Sequence, residues 1–187
     1  VQDALGLGAA KVDTAYTGMK AAIDVVDEIK AKLVAAREPG VDRTKIQAEI
    51  TALQGQLTSN ASASTFSGEN WLSVDSSAAG YSATKSIVAS FTRASDGSVS
   101  VGTISVDTSS TKLFDAAADA AAAGTGILDG RYDAATGALL ADQSAGGFTV
   151  ATLDISALTN STADLTTLEN YIKGVDDALS KMTTAAS

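Results

Sequence analysis

Residues 66–72, FSGENWL, bring together the chain's one Trp, a carboxylate, an amide and a hydroxyl. An indole face ringed by Ser67, Glu69 and Asn70 is a set of groups that can stack on a sugar and bond its hydroxyls. Other acids sit close in sequence: Asp24, Asp27 and Glu28, then Asp176 and Asp177. Glycoside hydrolysis needs two carboxyl groups facing one cleft. These acids lie off the apolar stripes of their segments, where solvated helix faces account for them. Gly6-Leu7-Gly8 and Gly124-Thr125-Gly126 supply two glycines of a dinucleotide loop without its strand, its third glycine or its helix. Asn60-Ala61-Ser62 and Asn160-Ser161-Thr162 match the N-glycosylation pattern, while residues 1–20 lack the basic start and apolar block of a secretory signal, so the matches are expected to be coincidental. No Asp-rich, Gly-centred calcium loop occurs.

Composition removes more chemistry than these motifs add. The 187 residues include no Cys and no His, which excludes thiol nucleophiles, the Ser-His-Asp arrangement and zinc sites of the usual kinds. No cofactor, metal or catalytic residue is expected. A net charge of -9 offers no footprint for a phosphate backbone, so nucleic acid is not an expected partner. Nor is a membrane, because no apolar run approaches the ~18 residues that span one. With 45% hydrophobic residues the chain has material for a substantial core.

Helices carry most of that material. Val12, Tyr16, Met19, Ile23 and Val26 alternate steps of four and three, which draws one apolar seam along a helix. Ile29, Leu33 and Ala36 extend it until Pro39-Gly40. Asp42 can cap a second helix with the seam Ile46, Ile50, Leu53 and Leu57. Leu165, Leu168, Ile172, Val175, Leu179, Met182 and Ala186 mark a third near the other end. Between them the pattern changes. β-prone runs at 87–93 and 99–106 flank Asp96-Gly97, a hairpin signal. Residues 148–155 read as a further strand, 124–140 as a second small hairpin, and 115–123 as an Ala-rich helix or loop. The predicted fold class is α+β: an elongated bundle of heptad-patterned helices, two early and one last, around a β-hairpin and a small insert. In that layout FSGENWL is the exit of the second helix. Gly68 turns the backbone, while Phe66, Trp71 and Leu72 fasten the turn to the bundle.

The stretches VQDALGLGAAKVDTAYTGMKAAIDVVDEIKAKLVAA, DRTKIQAEITALQGQLTSNASASTFSGENWL and LENYIKGVDDALSKMTTAAS resemble the bacterial flagellins, those of rhizobia and related alphaproteobacteria in particular. The likeness covers residues 1–72 and about 150–187, and in that family a Phe-x-Gly phrase ends the second helix where Phe66, Ser67 and Gly68 stand. The resemblance implies an extracellular structural subunit of the flagellar filament. Such a subunit leaves through the flagellum's own type III channel and pairs with other flagellin subunits, an export chaperone and a cap protein. It implies a core of residues 1–107 and 148–187, with 108–147 as an outer insert. It further implies a trimmed, monomeric piece that opens inside the first helix and stops inside the last. Where the family carries Arg-Val-Arg-Glu-Leu against an innate receptor, this chain has Val25, Val26, Asp27, Glu28 and Ile29, without either arginine. The competing reading is a secreted adhesin or carbohydrate-binding module built on Trp71.

Overall fold

The computed structural model describes residues 2–38, 40–66, 69–75, 82, 84–93, 95, 97, 99–107, 111–115, 126–141, 143 and 147–186. Three helices dominate: α1 (Gln2–Ala35), α2 (Arg43–Ala63) and α3 (Thr162–Ala186). Asp42 caps α2, its carboxylate accepting from the Thr44 and Lys45 amides at 3.0 and 3.3 Å, which satisfies two of the donors that a helix start leaves open. Pro39 lies outside the described residues; α1 itself ends at Ala35.

Ion pairs fix how the helices run. Lys30 meets Asp176 and Arg37 meets Glu169, both at 2.7 Å, so α3 is antiparallel to α1, and Lys32 meets Glu49 of α2 at 3.1 Å. Each pair is half exposed, so it sets register more than stability. Stability comes from the seams. Met19, Ala22, Val26, Ile29 and Leu33 of α1, with Ala36 just after it, are buried with Ile50, Leu53, Leu57 and Ala61 of α2 and Leu168, Val175, Ala178 and Met182 of α3. Ile23, Ile46, Ile172 and Leu179 pack on this cluster half-buried.

Two expected seam positions depart from the pattern. Val12 and Tyr16 are 39% and 48% exposed. The register set by the ion pairs brings α3 to its last turn beside Met19, so the part of α1 bearing Val12 and Tyr16 has only the rim of α3, at Ala185 and Ala186, beside it. A heptad pattern marks a face but not whether a partner covers it.

The predicted hairpin is present as β4 (Thr84–Arg93) paired antiparallel with β5 (Val99–Asp107), with a bulge between Val88 and Ser90 and Gly97 at φ +89° in the turn. Four two-residue strands accompany it as two pairs among the described residues. β1 (Thr65–Phe66) pairs with β2 (Glu69–Asn70) antiparallel, and β3 (Ser73–Val74) with β6 (Phe114–Asp115) in parallel. Isolated bridges join Tyr132 to Leu139 and to Phe148. The first of these closes a short turn with Gly137 at φ +76°, as the sequence suggested for Thr136-Gly137. Of residues 115–123, for which the sequence allows a helix or a loop, 116–123 lie outside the described residues, as do 124 and 125 at the start of the expected small hairpin.

Residues 148–155 are not a strand. After the Phe148 bridge the chain turns and runs without a ladder, yet Val150, Leu153 and Ile155 are almost fully buried. Side chains of α2 replace the missing neighbour strand. Gln47 Nε2 donates to the Leu153 carbonyl at 3.3 Å and its Oε1 accepts from the Ile155 amide at 2.9 Å. Further along the same helix, Gln54 Nε2 donates to the carbonyls of Val150 and Leu153, both at 3.1 Å. Buried backbone groups need partners of some kind, and these two glutamines on one helix face supply them. Leu113, Ile127, Leu128 and Tyr132, from the stretch expected as an outer insert, belong to the same apolar cluster as the helices.

Candidate functional site

The end of α2 is where the sequence concentrates its polar groups. A helix leaves its last carbonyls without intrahelical partners. Here side chains take them in turn. Ser64 Oγ donates to the Asn60 carbonyl at 2.7 Å, Thr65 Oγ1 to Ser62 at 3.0 Å, and Asn70 Nδ2 to Ala61 at 2.6 Å and Ser62 at 3.3 Å. The other end of the same amide, Asn70 Oδ1, accepts from the Leu72 and Ser73 amides at 2.9 and 3.0 Å. One side chain thus closes the helix and shapes the turn after it. Gly68 lies outside the described residues, and Phe66 is placed by its pairing with Glu69. Asn70 is the residue whose role the sequence reading missed. Its signal was an amide a few residues beyond a fading helix, the type that can donate and accept at once.

The turn is seated on α1. Trp71 and Leu72 are 6% and 2% exposed. Gly18 of α1 faces Ser64 and Leu72, and a Cβ there would collide with Ser64 Oγ and stand 2.9 Å from Leu72 Cδ1. Burial removes the open indole face that sugar stacking requires. What remains beside Trp71 is a groove of about 400 Å³ bordered by Val12, Tyr16, Met19, Leu72 and Ala186.

A second cluster joins α3 to the irregular chain before it. Tyr132, 1% exposed, donates its hydroxyl to Asp177 Oδ2 at 2.8 Å, and Lys181 stands 3.1 Å from the same oxygen and 5.5 Å above the Tyr132 ring centroid. Burial, and then the bond to Asp177, push the phenol well above its ordinary pKa of 10.0. Phe148 lies between Tyr132 and Tyr171, with ring centroids 5.7 and 4.5 Å away. Gly174 makes room, since a Cβ there would stand 2.6 Å from Phe148. Asn170 Nδ2 donates to the Ala134 carbonyl at 2.9 Å. Nearby, Lys112 and Asp115 form a buried ion pair at 2.7 Å. Asp129 accepts from the amides of Asp115 and Gly126, and burial raises its pKa from 3.8. A cavity of about 520 Å³ adjoins Lys112, Tyr132 and Lys181, whose cations already have carboxylate partners.

The acids that suggested catalysis do not converge. Asp24, Asp27 and Glu28 are exposed on α1, Asp176 pairs with Lys30, and Asp177 is engaged by Tyr132 and Lys181. Among the described residues no group of three or more acids could hold a metal ion, and no helix is long and apolar enough to cross a membrane. The run 25–29, matched to the family's receptor patch, is mixed in exposure. Only Asp27 and Glu28 are exposed; Val25, Val26 and Ile29 are 8%, 0% and 0% exposed. Val25 faces the core because it flanks the Val26 and Ile29 seam on the side that the rest of the bundle covers, so it is not an outer-face position.

Residues 1–77, which hold α1, α2 and the turn after it, match the bacterial flagellin N-terminal helical region. Flagellin B of Rhizobium meliloti is 47% identical over 199 residues, covering 100% of this chain and 48% of that protein. Flagellin A of Rhizobium meliloti (strain 1021) is 59% identical over 134 residues, covering 71% of this chain and 32% of that protein. A flagellin of Brucella melitensis biotype 1 is 39% identical over 112 residues, covering 59% of this chain and 37% of its own length. The chain spans less than half the length of these relatives.

Proposed function

The chain belongs to the rhizobial-type bacterial flagellins, and from that premise we propose that the whole protein is the structural subunit of the flagellar filament, polymerising outside the cell into the propeller for swimming. The observation that carries this reading is a likeness to Flagellin B that extends over the full chain, through helices and irregular layer alike. The partners are further copies of the subunit, with an export chaperone and a cap protein during delivery. The side-chain chemistry supports a structural role: the buried polar groups around Asn70, Gln47 and Tyr132 are used to hold backbone and helices. Electron microscopy of the whole protein under polymerising conditions is the test. Long helical filaments are expected, together with loss of swimming when the gene is removed and recovery when it is returned. Unpolymerised or amorphous protein, with swimming intact after removal, would overturn the reading.

The run at 25–29 supports a narrower proposal, that this flagellin is poorly detected by the innate receptor whose contact the family's arginines make. With Val25 buried, Asp27 is the exposed position where a carboxylate stands in place of a guanidinium. Reporter cells exposed to the whole protein should respond weakly. Asp27→Arg should strengthen the response by up to about 30-fold, as a ~2 kcal/mol contact would. A strong response to the unmodified protein excludes this proposal.

A further inference from the structure

The chain contains four Asn residues, at 60, 70, 160 and 170, followed by Ala61, Trp71, Ser161 and Tyr171. Three are held in place. Asn60 lies within α2 and its carbonyl accepts from Ser64 Oγ. Asn70 uses both ends of its amide, and Asn170 is 4% exposed inside α3 and bonded to Ala134. Asn160 is the one of the four that is exposed and held by neither a helix nor a side-chain clamp. It is exposed, it sits in the bend leading into α3, and its side chain has no hydrogen-bond partner among the described residues. Its follower, Ser161, is small and exposed, and the Ser161 amide makes only a 3.2 Å bond to Thr159 Oγ1.

We propose that Asn160 is a site of spontaneous deamidation, which converts the lead-in of α3 into a mixture of aspartate and isoaspartate. The Ser161 backbone nitrogen gives up its proton to solvent base and attacks Asn160 Cγ. A new C–N bond closes a five-membered succinimide, while the bond to the side-chain nitrogen breaks and ammonia departs. Water then adds to one of the two ring carbonyls. Opening between Cγ and the Ser161 nitrogen leaves an aspartate, and opening between the main-chain carbonyl carbon and that nitrogen leaves an isoaspartate. One ammonia leaves and one water enters, with no oxidant or enzyme required.

The position gives the reaction a structural consequence. Ser161 is the cap of α3, its Oγ accepting from the Asp164 amide at 3.1 Å and its carbonyl from the Leu165 amide at 2.9 Å. Deamidation therefore acts directly beside the cap. An aspartate adds negative charge at the helix end where the backbone dipole favours it. An isoaspartate lengthens the main chain by one carbon just before Ser161 and displaces the cap from the Asp164 amide.

The test is to hold the full chain near neutral pH at physiological temperature and follow all four Asn by peptide mass mapping, with isoaspartate detected by enzymatic methylation. A mass gain of about one dalton should arise first at Asn160. Its rate should exceed that of Asn60 and Asn170 at least about tenfold, since each ~1.4 kcal/mol of local opening free energy slows a protected site tenfold. Isoaspartate should accompany aspartate, the rate should rise with pH, and Asn160→Gln should remove the signal. Equal rates at the four sites would overturn the proposal. So would aspartate formed without isoaspartate, or an intact Asn160 over the interval in which an unstructured peptide of residues 157–164 converts.

Discussion

The helices and the irregular chain that precedes α3 share one core but are held by different forces. In the helices the contacts are apolar and periodic: Val26, Ile29 and Leu33 of α1 meet Ile50, Leu57, Leu168 and Val175, all almost fully buried. In the irregular layer, buried apolar residues such as Leu113, Val150 and Ile155 are also present, but backbone that has no ladder is secured by single polar side chains from the helices. Gln47 and Gln54 hold residues 150–155, Asn170 holds Ala134, and Asp177 holds Tyr132. The helical region therefore tolerates changes that keep volume and period, whereas the layer depends on individual donors and acceptors.

Truncation of a seam residue should have the largest effect. Leu168 is 1% exposed in the bundle core, and Leu168→Ala should destabilise the chain by ~2–5 kcal/mol, read from chemical or thermal unfolding. Ile172, which the spacing placed in the same seam, is only half-buried, so Ile172→Ala should cost less. Equal losses at the two positions would mean that the burial contrast along α3 is wrong.

Gln47→Ala sharpens the other side of the comparison. It removes hydrogen bonds to the buried Leu153 carbonyl and Ile155 amide together. The Leu153 carbonyl keeps its bond from Gln54, so the group left unsatisfied is the Ile155 amide, which costs ~1–3 kcal/mol, and the loss should be accompanied by faster amide exchange at Ile155 while the α1 seam stays protected. If exchange rose evenly through the molecule, the layer and the bundle would be one cooperative unit and the distinction would fail.

The same difference explains what could be read from the sequence. Heptad steps reveal which residues of a helix share a face, so Met19, Ile50, Leu53, Leu168 and Val175 were legible as core, and Asp96-Gly97 between two β-prone runs was legible as the β4–β5 hairpin. Residues 148–155 have the same alternation as a strand, and nothing local says that their neighbour is a helix bearing Gln47 and Gln54 rather than another strand. The turn at FSGENWL was legible as a turn, but Asn70 as its clamp depends on where the carbonyls of Ala61 and Ser62 fall in space. Gly174 belongs to the same class, because its missing side chain matters only once Phe148 lies across it.

The smallest expected effect tests the one place where period and burial separate. Val12 and Val26 fall on one seam of α1 and are the same residue type, yet Val12 is 39% exposed and Val26 is 0% exposed. For Val26→Ala, lost burial and the cavity left behind outweigh any gain in helix propensity, and ~1–3 kcal/mol should be lost. At Val12 little is buried, so the propensity term decides, and Ala is the better helix former by several tenths of a kcal/mol at most. Val12→Ala should therefore leave stability unchanged or raise it slightly, within about 0.5 kcal/mol. Opposite signs at two valines of one seam would show that the covering partner, not the heptad, determines what each contributes. A loss at Val12 as large as that at Val26 would place Val12 in the core of the bundle.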